Sequence, residues 1–249
     1  MALLRFVKFM WIAVEHQGMS SEDDRELRAY LRDAQRVSDE IWTEIDVGGK
    51  VVIDVGVGDS TRRLAELGAE VVAVERDLKK VQKLEPSVPV LICDFLNFPF
   101  RRKVADAVVF SFVLHEMNPE HHLKALSIAG KIAPRVIIVE PVPYGCPAYE
   151  EFARIWRNAM HSIGRFEEYK PPSYWGNILE KAGFKVVFRR LVNWKVAIPR
   201  SVLEDIVRTT AEDWKKKGVS ERWIRALQGF LQNDPKMKWS DIVVILGKV

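Results

Sequence analysis

Val51-Val-Ile-Asp54-Val-Gly56-Val-Gly58-Asp59-Ser60 decides how the rest of this chain is read. An apolar run ends in an acid, two glycines follow at alternate positions, and a helix start comes next. Glycines at such a strand end let the backbone approach a ligand closely and take dihedrals that a side chain forbids. The acid just ahead of them calls for a ligand with a positive charge or several hydrogen-bond donors; a pyrophosphate would be repelled. A dinucleotide fingerprint also needs a third glycine where Thr61 stands, and no Walker-type lysine loop is present.

Outward from this stretch, strand-like and helix-like segments alternate, the mark of a parallel sheet with crossover helices. Strands are expected at Val51–Val55, Val71–Glu75, Val90–Cys93, Ala107–Phe112, Arg135–Glu140, Lys185–Leu191 and Asp241–Leu246. The early ones are continuous apolar runs, as strands covered on both faces should be. Helices are expected over residues 60–68, 77–84, 119–132, 148–163 and 173–182. Leu27, Tyr30, Leu31, Ala34, Val37 and Ile41 recur at helical spacing, so residues 21–44 read as one amphipathic helix. Residues 201–233 read as two helices divided at Lys217-Gly218-Val219-Ser220, and the apolar, basic start of the chain as a short helix. The resulting division is an N-terminal helical cap over 1–47, then an α/β domain over 48–249 with a helical insertion at about 201–235. Both helical additions carry tryptophans, and each reads equally well as a lid over the site or as a stabilising flank or dimer surface.

At 249 residues and 48% hydrophobic content, the chain can bury a substantial core. Cys93 and Cys146 support no disulfide framework and point to a reducing, cytoplasmic interior. No apolar run approaches the length of a membrane span, and no cleavage site follows the first helix. The net charge of +4 is spread over short clusters, Arg62-Arg63, Arg101-Arg102-Lys103, Arg189-Arg190 and Lys215 to Lys217. Such clusters are more often solvated faces than nucleic-acid footprints.

In open α/β sheets, ligands sit beyond the carboxyl ends of the strands. Read in order, those ends carry Asp54, Gly56 and Gly58; then Glu75-Arg76, whose carboxylate suits ribose hydroxyls; then Asp94-Phe95, an acceptor for an exocyclic amine beside a ring; then Ser111; then Glu140. S-adenosylmethionine, with its ammonium and sulfonium, suits this set. The blocks IDVGVGDS, VVAVERD, LICDFLNFPF, ADAVVFSFVLHEM, RVIIVEP and YWGNILEKAGFKVV span roughly residues 48–192. Together they resemble the class I S-adenosylmethionine-dependent methyltransferase superfamily, nearest to its ubiquinone/menaquinone-biosynthesis type. The resemblance implies a doubly wound, Rossmann-like sheet of seven strands, mostly parallel, with the last antiparallel. It implies that Gly56 and Gly58 line the methionine moiety, that Glu75 holds the ribose and Asp94 the adenine amine, and that S-adenosylhomocysteine is released. Ser60, where many members carry a third glycine, is expected at the cofactor and suits a helix cap.

The acceptor should approach over the ends of the fourth and fifth strands. His115 is the first candidate for a base or an orienting group there, with Glu116 beside it and Glu140 opposite; the plainer role for Glu140 is to hold backbone amides of a neighbouring loop. Tyr144, Tyr174 and Trp175 are candidates to wall an acceptor pocket. No metal is expected: Pro119 stands where a His-Glu-x-x-His helix needs a residue, and Asn118-Pro119 reads as a helix cap. Ser111-Phe-Val-Leu is not the Asn/Asp-Pro-Pro-Tyr motif of amino-group methylation, and the setting of Cys146 does not suit pyrimidine methylation. A small organic acceptor is the default. An RNA methyltransferase is the first rival and predicts a continuous basic face beside the cofactor mouth. A non-catalytic cofactor-binding protein is the second and predicts helical additions plugging the space over His115 and Glu140.

Overall fold

The computed structural model describes residues 21–84, 87–99 and 103–249. The expected first helix and the Arg101-Arg102 pair lie outside the described residues. The strands are β1 (Val51–Val55), β2 (Glu70–Glu75), β3 (Val90–Ile92), β4 (Ala107–Ser111), β5 (Arg135–Pro141), β6 (Lys185–Val192) and β7 (Ile242–Lys248). They form one seven-stranded sheet in the order β3-β2-β1-β4-β5-β7-β6. Pairing is parallel throughout β3-β2-β1-β4-β5, and β7 runs antiparallel between β5 and β6. The strand order reverses between β1 and β4, where Val55 lies beside Phe110. That reversal places a crevice beyond the ends of these two strands.

The helices are α1 (Ser21–Trp42), α2 (Asp59–Glu66), α3 (Leu78–Leu84), α4 (His122–Ile132), α5 (Pro147–His161), α6 (Pro172–Lys181), α7 (Arg200–Lys216) and α8 (Glu221–Gln232). Side-chain alternation sends successive strand residues to opposite faces. Val52, Val109, Ile137, Val139 and Val244 face a core built with α1, α5, α7 and α8. Ile53, Val108, Phe110, Ile138 and Val243 face the other, built with α4 and α6. Both faces of the central strands are therefore covered, which is why their sequences are unbroken apolar runs.

Helix starts follow local chemistry. Pro147 and Pro172 open α5 and α6, where a missing N–H costs nothing. The helix expected from 119 begins instead with a single 3-10 turn, Pro119–His121, capped by Asn118 Oδ1 on the Glu120 amide. The α-helix proper starts at His122. The helical additions are part of the layered core: Trp42 and Trp214 are buried in it, and Trp223 packs against it. Asp33 of α1 accepts hydrogen bonds from the Lys195 and Val196 amides, and Trp239 Nε1 donates to Tyr30, so α1 is tied to segments far along the chain.

Candidate active site

Asp54 is fully buried at the end of β1. Its Oδ2 accepts hydrogen bonds from Thr61 (2.6 Å) and Ser60 (3.0 Å), while Oδ1 has no partner among the described residues. Burial pushes its carboxyl up to about 7; the Thr61 and Ser60 hydroxyls and the charge of Lys80 pull the other way. Gly56 follows with φ +89°, and a Cβ there would stand 2.9 Å from Val113 Cγ2, so this turn admits only glycine. At Gly58 a Cβ would meet no heavy atom within 4 Å, leaving open space over the backbone. The expected capping role of Ser60 is corrected: its hydroxyl goes to Asp54, and Thr61 Oγ1 accepts the Gly58 N–H instead. Ser60 lies two residues past the N-cap Gly58, inside the first turn of α2.

Glu75 is buried at the end of β2, with Oε1 accepting from the Asp77 amide (3.1 Å) and Oε2 paired with Lys80. Asp94 caps the 3-10 turn Phe95–Asn97 by accepting from the Leu96 amide (3.0 Å). Phe95 is buried edge-on against Phe110, Ser111 is half-buried at the end of β4, and Arg76 is exposed. Thus the carboxylates Asp54, Glu75 and Asp94 do stand at successive strand ends around one crevice.

The ends of β4 and β5 are different. Phe112 takes φ +53°, a left-handed conformation costly for a bulky residue. The bend turns the next two amides toward β5: Glu140 Oε1 accepts from Val113 N (2.9 Å) and Leu114 N (2.7 Å). Its Oε2 meets His115 Nδ1 at 2.5 Å. On the far side of the ring, His115 Nε2 lies 3.6 Å from Glu167 Oε1, which accepts from the Tyr169 hydroxyl at 2.5 Å. The Tyr169 ring stacks on His115, and the Glu168 amide donates to the His115 carbonyl. Burial alone would lower the His115 pKa, but the carboxylates of Glu140 and Glu167 outweigh it and raise it to about 9. Burial raises Glu167 and Tyr169 as well. The result is a closed row of acid, imidazolium, acid and phenol.

His115 and Glu140 therefore come together as expected, but under cover: they are 3% and 0% exposed. Glu140 holds the loop amides. Glu116 faces solvent on the same turn. Trp175 does not wall a pocket; it is 0% exposed, packed on His122 and Tyr174 inside the core, because α6 turns its apolar face to the sheet. The Tyr174 hydroxyl and the Leu114 carbonyl hold the two ring nitrogens of His122. Tyr144 is nearly half exposed, beyond β5. Glu167 and Tyr169, which complete the buried row, lie in an irregular segment between α5 and α6 with no strand end to mark them. Lys80 was missed too; only its place five residues after Glu75, on the first turn of the next helix, could have singled it out.

A sheet reversing at β1 and β4, with acids on successive strand ends and a glycine cradle between, defines the class of α/β proteins that hold a ligand at the crevice mouth. Residues 30–131 match the family model described as a methyltransferase domain. The demethylmenaquinone methyltransferase of Corynebacterium urealyticum is 28% identical over 134 residues, covering 51% of this chain and 57% of that protein. The chain thus spans little more than half the length of the curated relatives it matches. Among solved structures, an S-adenosylmethionine-dependent methyltransferase from Archaeoglobus fulgidus superposes with a TM-score of 0.52 at 18% identity, covering 88% of this chain and 93% of that one. The mycolic acid cyclopropane synthase CmaA1, solved with S-adenosylhomocysteine and CTAB, does so at 0.59 and 16%, covering 88% and 85%. Over residues 30–131 the chain is thus similar to methyltransferase domains, and its fold is that of solved S-adenosylmethionine-dependent methyltransferases.

The residues present fit that cofactor. A buried carboxylate oxygen without a partner suits an ammonium, and the open backbone at Gly58 leaves room for a ligand chain.

Proposed function

We propose that this chain transfers a methyl group from S-adenosylmethionine to a small organic acceptor. The observation that carries the reading is the unpartnered Oδ1 of buried Asp54 beside the open Gly58 backbone. Asp54 receives the ammonium, Glu75 the ribose hydroxyls and Asp94 the adenine amine; Phe95, Arg76, Ser60 and Ser111 border the same crevice. The cofactor supplies a methyl group already activated for displacement, so the chain's work is positioning. His115 is charged at neutral pH and acts as a positioning group rather than a resting base. Glu140 orders the amides of Val113 and Leu114 at the crevice wall. Glu116 on the same turn is the carboxylate assigned to an acceptor that arrives protonated, and Tyr144 and Tyr174 are the residues assigned to wall the acceptor pocket.

The name of the Corynebacterium relative favours a small organic acceptor over a nucleic acid. So does the pairing of Arg62, Arg63 and Lys217 with neighbouring acids, which neutralises these members of the basic clusters. No helix among the described residues is long and apolar enough to cross a membrane. Two half-buried free cysteines suit a reducing, cytoplasmic setting. One observation favours a second reading, a non-catalytic cofactor-binding protein. His115 and Glu140 are sealed, with residues 167–169 packed against the His115 ring.

The test is calorimetric titration with S-adenosylmethionine, S-adenosylhomocysteine and NAD on the wild type, Asp54→Ala and Glu75→Ala. Binding of the adenosyl compounds alone, weakened at least tenfold by each change (about 1.4 kcal/mol or more), is expected. Binding of NAD, or of nothing, would end the methyltransferase reading. A binding protein without turnover on any screened acceptor would favour the second.

A further inference from the structure

Lys80 has no place in the reading above, yet its side chain enters the crevice. It rises from the first turn of α3, with its amide donating to the Asp77 carbonyl (3.0 Å), and its ammonium pairs with Glu75 Oε2. Both side chains are largely buried, 16% and 8% exposed. The ammonium also stands 4.0 Å from the point that a Cβ on Gly56 would occupy, so it reaches the glycine cradle itself. Its charge is felt by two further carboxylates, Asp54 across the cradle and Glu116 on the turn after β4. A largely buried ammonium thus stands among the acids of the crevice, on the carboxylate assigned to the ribose and against the glycine assigned to the methionine chain.

We propose that Lys80 is a specificity-determining residue of the cofactor site: its fixed positive charge disfavours the sulfonium of the methyl donor relative to the uncharged sulfur of the demethylated product. This rests on the cofactor reading given under the proposed function. The physical basis is the difference between the two ligands. They share adenine, ribose, ammonium and carboxylate, and differ by one methyl group and one positive charge. Any interaction of Lys80 with the shared parts changes both affinities alike and cancels in their ratio. What survives is the repulsion between the ammonium and the sulfonium. Two unit charges about 7 Å apart in a partly wet cleft, at an effective dielectric constant of about 35 to 60, repel enough to shift the ratio roughly three- to tenfold.

The experiment is parallel calorimetric titration of S-adenosylmethionine and S-adenosylhomocysteine into the wild type, Lys80→Met and Lys80→Arg. Lys80→Met keeps the length of the side chain and removes its charge; Lys80→Arg keeps the charge. The donor-to-product affinity ratio is expected to rise about three- to tenfold in Lys80→Met and to stay within twofold of wild type in Lys80→Arg. Raising the salt concentration should move the wild-type ratio toward that of Lys80→Met, because screening weakens the same repulsion. A ratio within twofold of wild type in Lys80→Met overturns the proposal, whatever happens to the two affinities separately. Loss of folding in Lys80→Met would leave the salt series on the wild type to decide. If no variant and no wild type binds either compound, the cofactor reading has failed, which is a different result from an unchanged ratio.

Discussion

The two halves of the crevice are built on opposite principles. At the ends of β1 to β3 the polar groups are only partly satisfied: Asp54 keeps an unpartnered oxygen and Gly58 an uncovered backbone. At the ends of β4 and β5 the buried acids Glu140 and Glu167 are spoken for. Glu140 holds two amides and a ring nitrogen, and Glu167 holds a phenol against the other side of the same ring. Unmet hydrogen-bonding capacity in a buried place is costly, so it persists where a ligand repays it. Full satisfaction builds rigidity instead. The first half is made to receive something, and the second to hold a turn in a strained shape.

That contrast breaks most easily at Glu140. Glu140→Ala removes the acceptor of two buried amides and the counter-ion of a buried imidazolium at once. The expected loss is about 3–5 kcal/mol in unfolding free energy, measured by chemical denaturation. A loss below about 1 kcal/mol would mean that the row is looser than its geometry implies.

His115 gives the next largest effect, and the pH dependence has a definite sign. Its folded pKa of about 9 lies above the unfolded value of about 6.5. The folded state therefore binds the proton more tightly, and the stabilisation is complete below about pH 6.5. It fades as pH rises through 9, by about 3 kcal/mol in all. Denaturation series at pH 6, 7.5 and 9 on the wild type and His115→Asn should differ by this slope. Parallel curves would show that the imidazole is not held charged.

The same contrast explains what could be read from the sequence. β1 was legible to the residue, because a run of five apolar and acidic positions between glycines has one natural reading as a covered strand. Asp54, Glu75 and Asp94 were legible because strand ends are fixed by the strands before them. His115 and Glu140 were found as residues, but their burial was not, since it depends on Glu167 and Tyr169 more than fifty positions beyond His115. Trp175 was misplaced for a related reason: an aromatic residue near a site reads alike whether it faces inward or outward. Lys80 was overlooked because a lysine on a short helix reads as a solvated face, and only the fold brings it back onto Glu75.

Asp54 sharpens the open side. Its carboxyl titrates near 7 when no cation is bound. A bound ammonium favours the ionised form and so lowers that pKa, which makes binding release a proton below pH 7. Affinity for S-adenosylmethionine should therefore fall as the pH drops from 8 to 6, approaching about tenfold per unit at the acid end. In Asp54→Asn the fall should vanish and the affinity be low throughout. A wild-type affinity that is flat over this range would mean that Asp54 is ionised before the ligand arrives.

Ser60 carries the smallest effect and separates two roles for one hydroxyl. Its Oγ donates to Asp54 Oδ2, where Thr61 donates as well. If Ser60 acts only through Asp54, Ser60→Ala makes the carboxyl harder to ionise and raises its pKa. Affinity for S-adenosylmethionine at pH 7 should then fall about two- to threefold, less than the whole of one neutral-donor hydrogen bond to a charge. At pH 9 Asp54 is ionised in both proteins, so the deficit should close. If Ser60 instead touches the cofactor directly, the deficit persists at pH 9. A persistent deficit would move Ser60 from the group that supports Asp54 to the group that meets the ligand, and the open side of the crevice would extend one residue into α2.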